Sequence, residues 1–266
     1  VARDQRGVDF GAQIARAVST KDGLREWLTR FWADHFTVRS VSGTTRHLVA
    51  PYVEEAIRPH VAGRFSDMLR AVATHPMMLV FLDQHVSMGP NSRTAQRRNR
   101  GLNENLAREM LELHTLGVSG AYDQTDVREL AELLTGLSYS AQSGFTFREA
   151  MAEPGPEVVL GQGYGGGEPR LDDVFAVLDD LAGHPDTARH IARKLAVHFV
   201  ADDPPLGLVD ALARAFGQSG GDLGVVTEAL LRHPAAWACK KQKVKLPFGF
   251  VTSGARALDI DPDALA

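Results

Sequence analysis

Residues 101–139 read GLNENLAREMLELHTLGVSGAYDQTDVRELAELLTGLSY, and they decide how the chain is read. Plotted at roughly 100° per residue, Leu102, Leu106, Met110, Leu113 and Leu116 gather on one helical face, and Glu109 projects from its middle. Asn105, Glu109 and Glu112 stand i, i+4, i+7 and form a polar ridge along the edge of that face. A carboxylate turned toward a core needs hydrogen-bond donors, a cation or a proton. Glu109 is therefore expected either in a structural polar network or as a working carboxyl with a raised pKa. A Gly pair, Gly117 and Gly120, ends this helix. Thr125 or Asp126 then caps the next, with Glu129 in its first turn.

A second polar side chain behaves alike. In LREWLTRFWADHF, Leu24, Trp27, Leu28, Phe31 and His35 share one helical face, with Asp22 as N-cap. The economical expectation is that His35 and Glu109 meet between their helices as a His–carboxylate pair.

Working outward, the pattern is helix after helix. Helices are expected near 8–19, 23–36, 45–57, 61–74, 76–84, 102–117, 125–137, 171–182, 185–200, 206–217, 222–232, 234–239 and 246–258. Residues 86–101 read as a loop. Residues 140–170 carry Gly, Pro and two β-like runs, FTFRE and EVVLG, expected to form a small hairpin or irregular insertion closed near GQGYGGGEPR. The fold class is mainly α: a multi-helix, orthogonal or bundle-like single domain over 1–266, a trimmed portion of a longer chain. A subdivision into 1–139 and 171–266 around the insertion stays open. Three His-Pro dipeptides, at His75, His184 and His233, mark helix-to-helix corners, because Pro suits a first helical turn and excludes the preceding residue from the α region.

Composition sets outer limits. The 266 residues are 44% hydrophobic and 23% charged, an ordinary globular profile. A net charge of −4 gives no general attraction to nucleic acid. One cysteine, Cys239, excludes an intrachain disulfide and a cysteine-rich zinc site. No apolar run is long enough for a transmembrane helix. Since Val1 is not an initiator Met, no compartment follows from the lack of a signal-like start.

FWADHFTV, IRPHVAGRFSDMLRAVATHPMMLVFLD, GPNSR followed by RRNRGLNENLAREMLELHTLGVSGAY, DVRELAELLTGLSY and HPDTARHIARKLAVHFVADDPP together resemble the bacterial family known as domain of unknown function 1800. The resemblance covers nearly the whole chain. It implies a bacterial protein, periplasmic or secreted, often encoded beside sulfatase-like proteins of the domain of unknown function 1501 family. It carries no established reaction. Its pattern falls on His35, Asn91, Arg93, Asn103, Glu104, Asn105, Arg108, Glu109, Glu112, His114, Asp126, Glu129, Thr135, Gly136 and Lys194.

The chemistry on offer can be weighed residue by residue. His35, Glu109 and Glu112 are the candidate catalytic residues for proton transfer. Arg93, Asn103, Asn105, Arg108, His114 and Lys194 are the candidate binding residues. Glu109 and Glu112 share a face as metal ligands would, but His114 sits roughly opposite Glu112 and no Glu-x-x-His pair is present, so no metal and no cofactor are assigned. His190, Lys194 and His198 line one helix side, read as a basic edge or as a lysine paired with Glu109 or Glu112. Arg93, Arg97, Arg98 and Arg100 form a cluster fit for a forked anion contact or for plain solvation. GQGYGGG lacks both nucleotide-loop patterns and reads as a turn. No G-x-S-x-G or H-E-x-x-H is present.

Two readings of function remain. The preferred one is a helical binding or assembly protein that docks a sulfatase-like partner. The alternative is an acid–base hydrolase or lyase acting on a polar or anionic polymer through a His/Glu/Arg/Lys pocket. A deep pocket holding His35 and Glu109 would favour the enzyme; a closed core beside an exposed apolar patch would favour the partner role.

Overall fold

A computed structural model describes residues 2–40, 44–97, 101–140, 142–238 and 243–261; Cys239, Arg98 and Arg100 lie outside them. The protein is mainly α, with two small antiparallel hairpins among the described residues. The helices are α1 (Ala2–Ser19), α2 (Gly23–His35), α3 (Val49–Tyr52), α4 (Phe65–Thr74), α5 (Pro76–Phe81), α6 (Asn105–Glu109), α7 (Gln124–Leu133), α8 (Leu171–Gly183), α9 (Pro185–Phe199), α10 (Leu206–Ser219), α11 (Leu223–Arg232), α12 (Ala235–Ala238) and α13 (Pro247–Ala257). The strands are β1 (Leu137–Ser140), β2 (Gly144–Phe147), β3 (Pro156–Val159) and β4 (Gln162–Gly165). No described helix is long and apolar enough to cross a membrane.

One apolar cluster runs from Leu28 in α2 to Leu230 in α11 and takes in residues of α4, α5, α6, α7, α8, α9 and α10. α9 packs along α10, α10 along α11, and α4 against α8. Arg70 of α4 clamps Asp179 of α8 through both carboxylate oxygens. Arg58 grips both oxygens of Glu26 at 2.6 and 3.0 Å and also reaches Glu54 at 2.9 Å, fixing α2 to the turn that follows α3. Forked geometry of this kind fixes orientation as well as charge.

The His-Pro corners show one solution used three times. His75, His184 and His233 each take an extended conformation between two helices. Each imidazole Nδ1 accepts a hydrogen bond from the amide two residues on: Met77 at 3.0 Å, Asp186 at 3.1 Å and Ala235 at 3.2 Å. The histidine thus acts as the N-cap while proline supplies the first helical turn.

Several expected elements differ in extent. The expected helix over 45–57 is a 3₁₀ turn, a short α segment and a π turn, Val53–Ile57. Pro51 and Pro59, each without an N–H, explain why no regular α-helix crosses this stretch. α7 starts after Asp123, not Thr125 or Asp126: the Asp123 carboxylate accepts from the Thr125 and Asp126 amides, and the Asp126 side chain returns the bond to the Asp123 amide. α7 ends at Leu133, and Leu137, expected at its tail, opens β1. The two β-like runs do not pair with each other. FTF pairs back on LSYS, with Tyr139 opposite Phe145, while PEVV pairs forward on QGYG, with Glu157 opposite Tyr164. Each run has a short turn beside it that lets it pair locally, at lower entropic cost than the longer closure.

Candidate functional site

Asp22 caps α2 as expected, accepting from the Arg25 amide at 3.0 Å. The buried residues of α2 are Leu28, Thr29, Phe31, Trp32 and His35. Leu24 and Trp27, expected on the buried face, sit at its exposed edge, because Trp32 rather than Trp27 enters the aromatic cluster with Phe36 and Phe65.

The helix carrying Glu109 holds the main departure. It is α only over Asn105–Glu109 and becomes a π turn over Met110–His114. A π turn holds more residues than the 3.6 of an α turn, so every side chain beyond it moves round the axis. Leu113, expected in the buried stripe, is 44% exposed, while His114 is buried. Glu109 is half-buried rather than central to the core.

The π turn also leaves its last carbonyls without helical partners, and two histidines from other helices take them. His35 Nε2 lies 3.1 Å from the carbonyl oxygen of His114, and His190 Nε2 lies 3.1 Å from that of Leu113. A carbonyl only accepts, so both imidazoles carry their proton on Nε2. The His35 ring centre is 6.1 Å from both the His114 and the His190 ring. Gly117, at φ +87°, lets the chain turn away beneath His190; a Cβ there would lie 2.8 Å from His190 Nδ1.

Electrostatics follow from closure. Burial, then the charge of Lys194 and the neighbouring His114, holds His35 well below the usual histidine range. Burial, with Lys194 and His190, pushes His114 down to about 3. His190 is lowered by burial and by Lys194, against a gain from its bond to Leu113. Lys194 is itself lowered by burial, with Asp34 opposing. Lys194 makes no ion pair with Glu109 or Glu112. The cluster is three neutral imidazoles around a half-buried ammonium. The Nδ1 atoms of His35 and His114 are buried without a partner among the described residues.

His35 and Glu109 share no hydrogen bond, ion pair or electrostatic coupling among the described residues. The Glu109 carboxyl is raised by partial burial and then by Glu112. Glu112 belongs to a surface network: Arg108 reaches it at 3.4 Å, Glu104 at 3.0 Å and Gln124 at 2.9 Å. Asn103 is a hook ahead of α6, its Oδ1 accepting from the Asn105 amide at 2.8 Å and its Nδ2 donating to the Leu82 carbonyl at 3.2 Å. Asn105 is itself exposed. Arg93 is exposed, 3.8 Å from Glu168. Of the nine candidate residues, then, His35, His114 and Lys194 come together inside, Arg108, Glu109 and Glu112 run along one half-exposed ridge, and Asn103, Asn105 and Arg93 stand apart from both.

The 140–170 insertion carries two buried carboxylates outside the candidate set, Glu153 and Glu157. Glu153 accepts from the Asn91 amide at 2.8 Å and from its side chain, while the Glu153 amide donates to the Thr135 hydroxyl at 2.7 Å. Glu157 is buried on the inward side of β3 with Val159. Burial, then Glu153, Glu132, Glu129 and Asp173, pushes it up to about 8. The signal was available: in PEVV, strand alternation that turns Val159 inward turns Glu157 inward too. Two α7 carboxylates hold this hairpin, Glu129 accepting from the Val158 amide at 2.9 Å and Asp126 from the Leu160 amide at 2.7 Å. No group of three or more His, Cys, Asp or Glu side chains among the described residues is arranged to hold a metal ion.

No curated protein and no solved structure matches the chain. A family model described as protein of unknown function (DUF1800) matches residues 2–266. The chain belongs to that family.

Proposed function

We propose that this is an extracytoplasmic binding or assembly protein, and that its partner is a sulfatase-like protein of the domain of unknown function 1501 family. The compartment and the partner's identity rest on the family resemblance; the docking surface rests on geometry. The observation that carries the reading is a groove of about 800 Å³ lined by Leu24, Trp27, Phe199, Val244, Leu246 and Pro247. Val244 is 84% exposed, Leu246 61% and Trp27 37%. An apolar surface of this kind with a polar border is what a protein partner covers. Lys243 and Lys245 stand on the same border, Lys243 paired with Asp202, and in sequence they belong to a run with Lys240 and Lys241. The matching occupant is an apolar segment of the partner flanked by acidic residues. By contrast, His35 and His114 are closed off in the core, which supports a structural role for them.

The test is a calorimetric titration of the chain with the sulfatase-like protein encoded beside it. Saturable binding is expected, weakened at least about tenfold by Leu246→Asp and by Trp27→Ser, and weakened further by added salt. Absence of binding, or binding that both variants leave unchanged, overturns the reading.

A further inference from the structure

A second cleft, of about 810 Å³, shares no lining residue with that groove and lies between the 85–94 loop and the β1–β2 hairpin. We propose that it binds a saccharide, recognised as a polyol with an apolar face.

The walls are tied together before any ligand arrives. The Thr94 amide and hydroxyl both donate to the Ala150 carbonyl, at 2.9 and 2.7 Å. The Ser138 hydroxyl donates to the His85 carbonyl at 3.4 Å. His85 is oriented by its ring: Nδ1 lies 3.1 Å from the Leu79 carbonyl oxygen. Nδ1 therefore carries the proton, and Nε2 keeps a free lone pair. The Arg148 guanidinium is laid along β1 by a 3.2 Å bond from Nη2 to the Tyr139 carbonyl, leaving its other N–H groups to donate.

What remains is a mixed set of hydrogen-bonding groups on one cleft. The His85 Nε2 and the Glu149 carboxylate accept, Arg148 donates, and the Tyr139 hydroxyl does both. Neither the Glu149 carboxylate nor the Tyr139 hydroxyl has a hydrogen-bond partner among the described residues. Between them stand the rings of His85 and Tyr139, 5.4 Å apart and tilted by 55°, with Phe147 also on the wall. A sugar ring presents alternating donor and acceptor hydroxyls at its edge and a C–H face that an aromatic ring can cover. The volume falls within the range of roughly 300–1,000 Å³ typical of small-molecule sites. Arg148 and Glu149 offset each other, so the wall favours a polyol over a bare anion. His85 and Glu149 are the only side chains on this wall that ligate metals readily, which is too few for a metal site.

The full chain would be titrated by calorimetry with cellotetraose, a neutral tetrasaccharide, and with a heparin-derived tetrasaccharide of the same length. Saturable binding of the neutral sugar is expected, reduced at least about tenfold in Tyr139→Ala and in Arg148→Ala. Tyr139→Phe, which keeps the ring and removes only the hydroxyl, should lose less. Leu246→Asp, in the apolar groove, should leave sugar binding unchanged, so loss of partner docking and loss of sugar binding are read separately. Should Tyr139→Ala fail to fold, the exposed Glu149→Gln replaces it, with weakened binding expected. No binding of the neutral sugar at millimolar concentration, binding of the acidic sugar alone, or binding that these cleft variants leave unaltered overturns the proposal.

Discussion

Gly117 and His190 show how much hangs on a single contact. At φ +87° and with His190 Nδ1 where a Cβ would reach, Gly117→Ala faces both a left-handed backbone and a clash. A loss of about 1–3 kcal/mol is expected in urea denaturation. Gly183→Ala is the control, since nothing lies within 4 Å of its added methyl, and it should be neutral or slightly stabilising. The burial of His35 was legible, because an α-helix with Leu28 and Phe31 on one face places His35 beside them. The burial of His114 was not. A π turn leaves no mark in hydrophobic spacing, and a regular helix drawn through Met110–His114 puts Leu113 inside and His114 outside, the reverse of what the structure shows.

At the scale of elements, the His-Pro corner is a cap read only halfway. Proline after histidine announced a corner; that the histidine side chain closes the next helix depends on a rotamer that sequence does not reveal. His184→Ala should cost about 1 kcal/mol, and His184→Asn, which also caps, should recover most of it. Because His184 and His233 cap different helices, their losses should add; melting curves of the single and double variants check this. The hairpins were legible as strands and turns but not as pairs. FTF and EVV could each close on either neighbour, and sequence does not show that each takes its short local turn or that α7 presents Asp126 and Glu129 to the amides of Leu160 and Val158. Replacing both by Asn and Gln should loosen that hairpin first, seen as faster amide exchange at Val158 and Leu160.

For the molecule as a whole, buried titratable groups of opposite sense set the pH range of stability. His114 titrates at about 3 in the fold against 6.5 in an open chain. Between those values the unfolded chain binds a proton that the native one refuses, so stability falls as pH drops through this window and is complete above it. His35 adds to the same limb. Glu157 works the other way: its folded value of about 8 stands above the ordinary 4.5, so the native state holds a proton the unfolded chain releases, and stability falls as pH rises from 4.5 toward 8. The expected profile is a bell, each fully engaged proton contributing a slope of about 1.4 kcal/mol per pH unit. Denaturation midpoints across pH should show a shallower acid limb in His114→Gln and a shallower alkaline limb in Glu157→Gln.

The central claim is that the histidine–lysine cluster is a closed keystone and that function belongs to the surface. It is tested most directly by following the imidazole nitrogens of the labelled full chain by NMR from pH 8 to 5, with and without the sulfatase-like protein. The account predicts that His35 stays neutral with the proton on Nε2 throughout, unmoved by the partner, while the imidazole of His198, which lines the groove beside Trp27, responds to it. A His35 midpoint near 6.5, or a His35 signal that shifts when the partner binds, would contradict it.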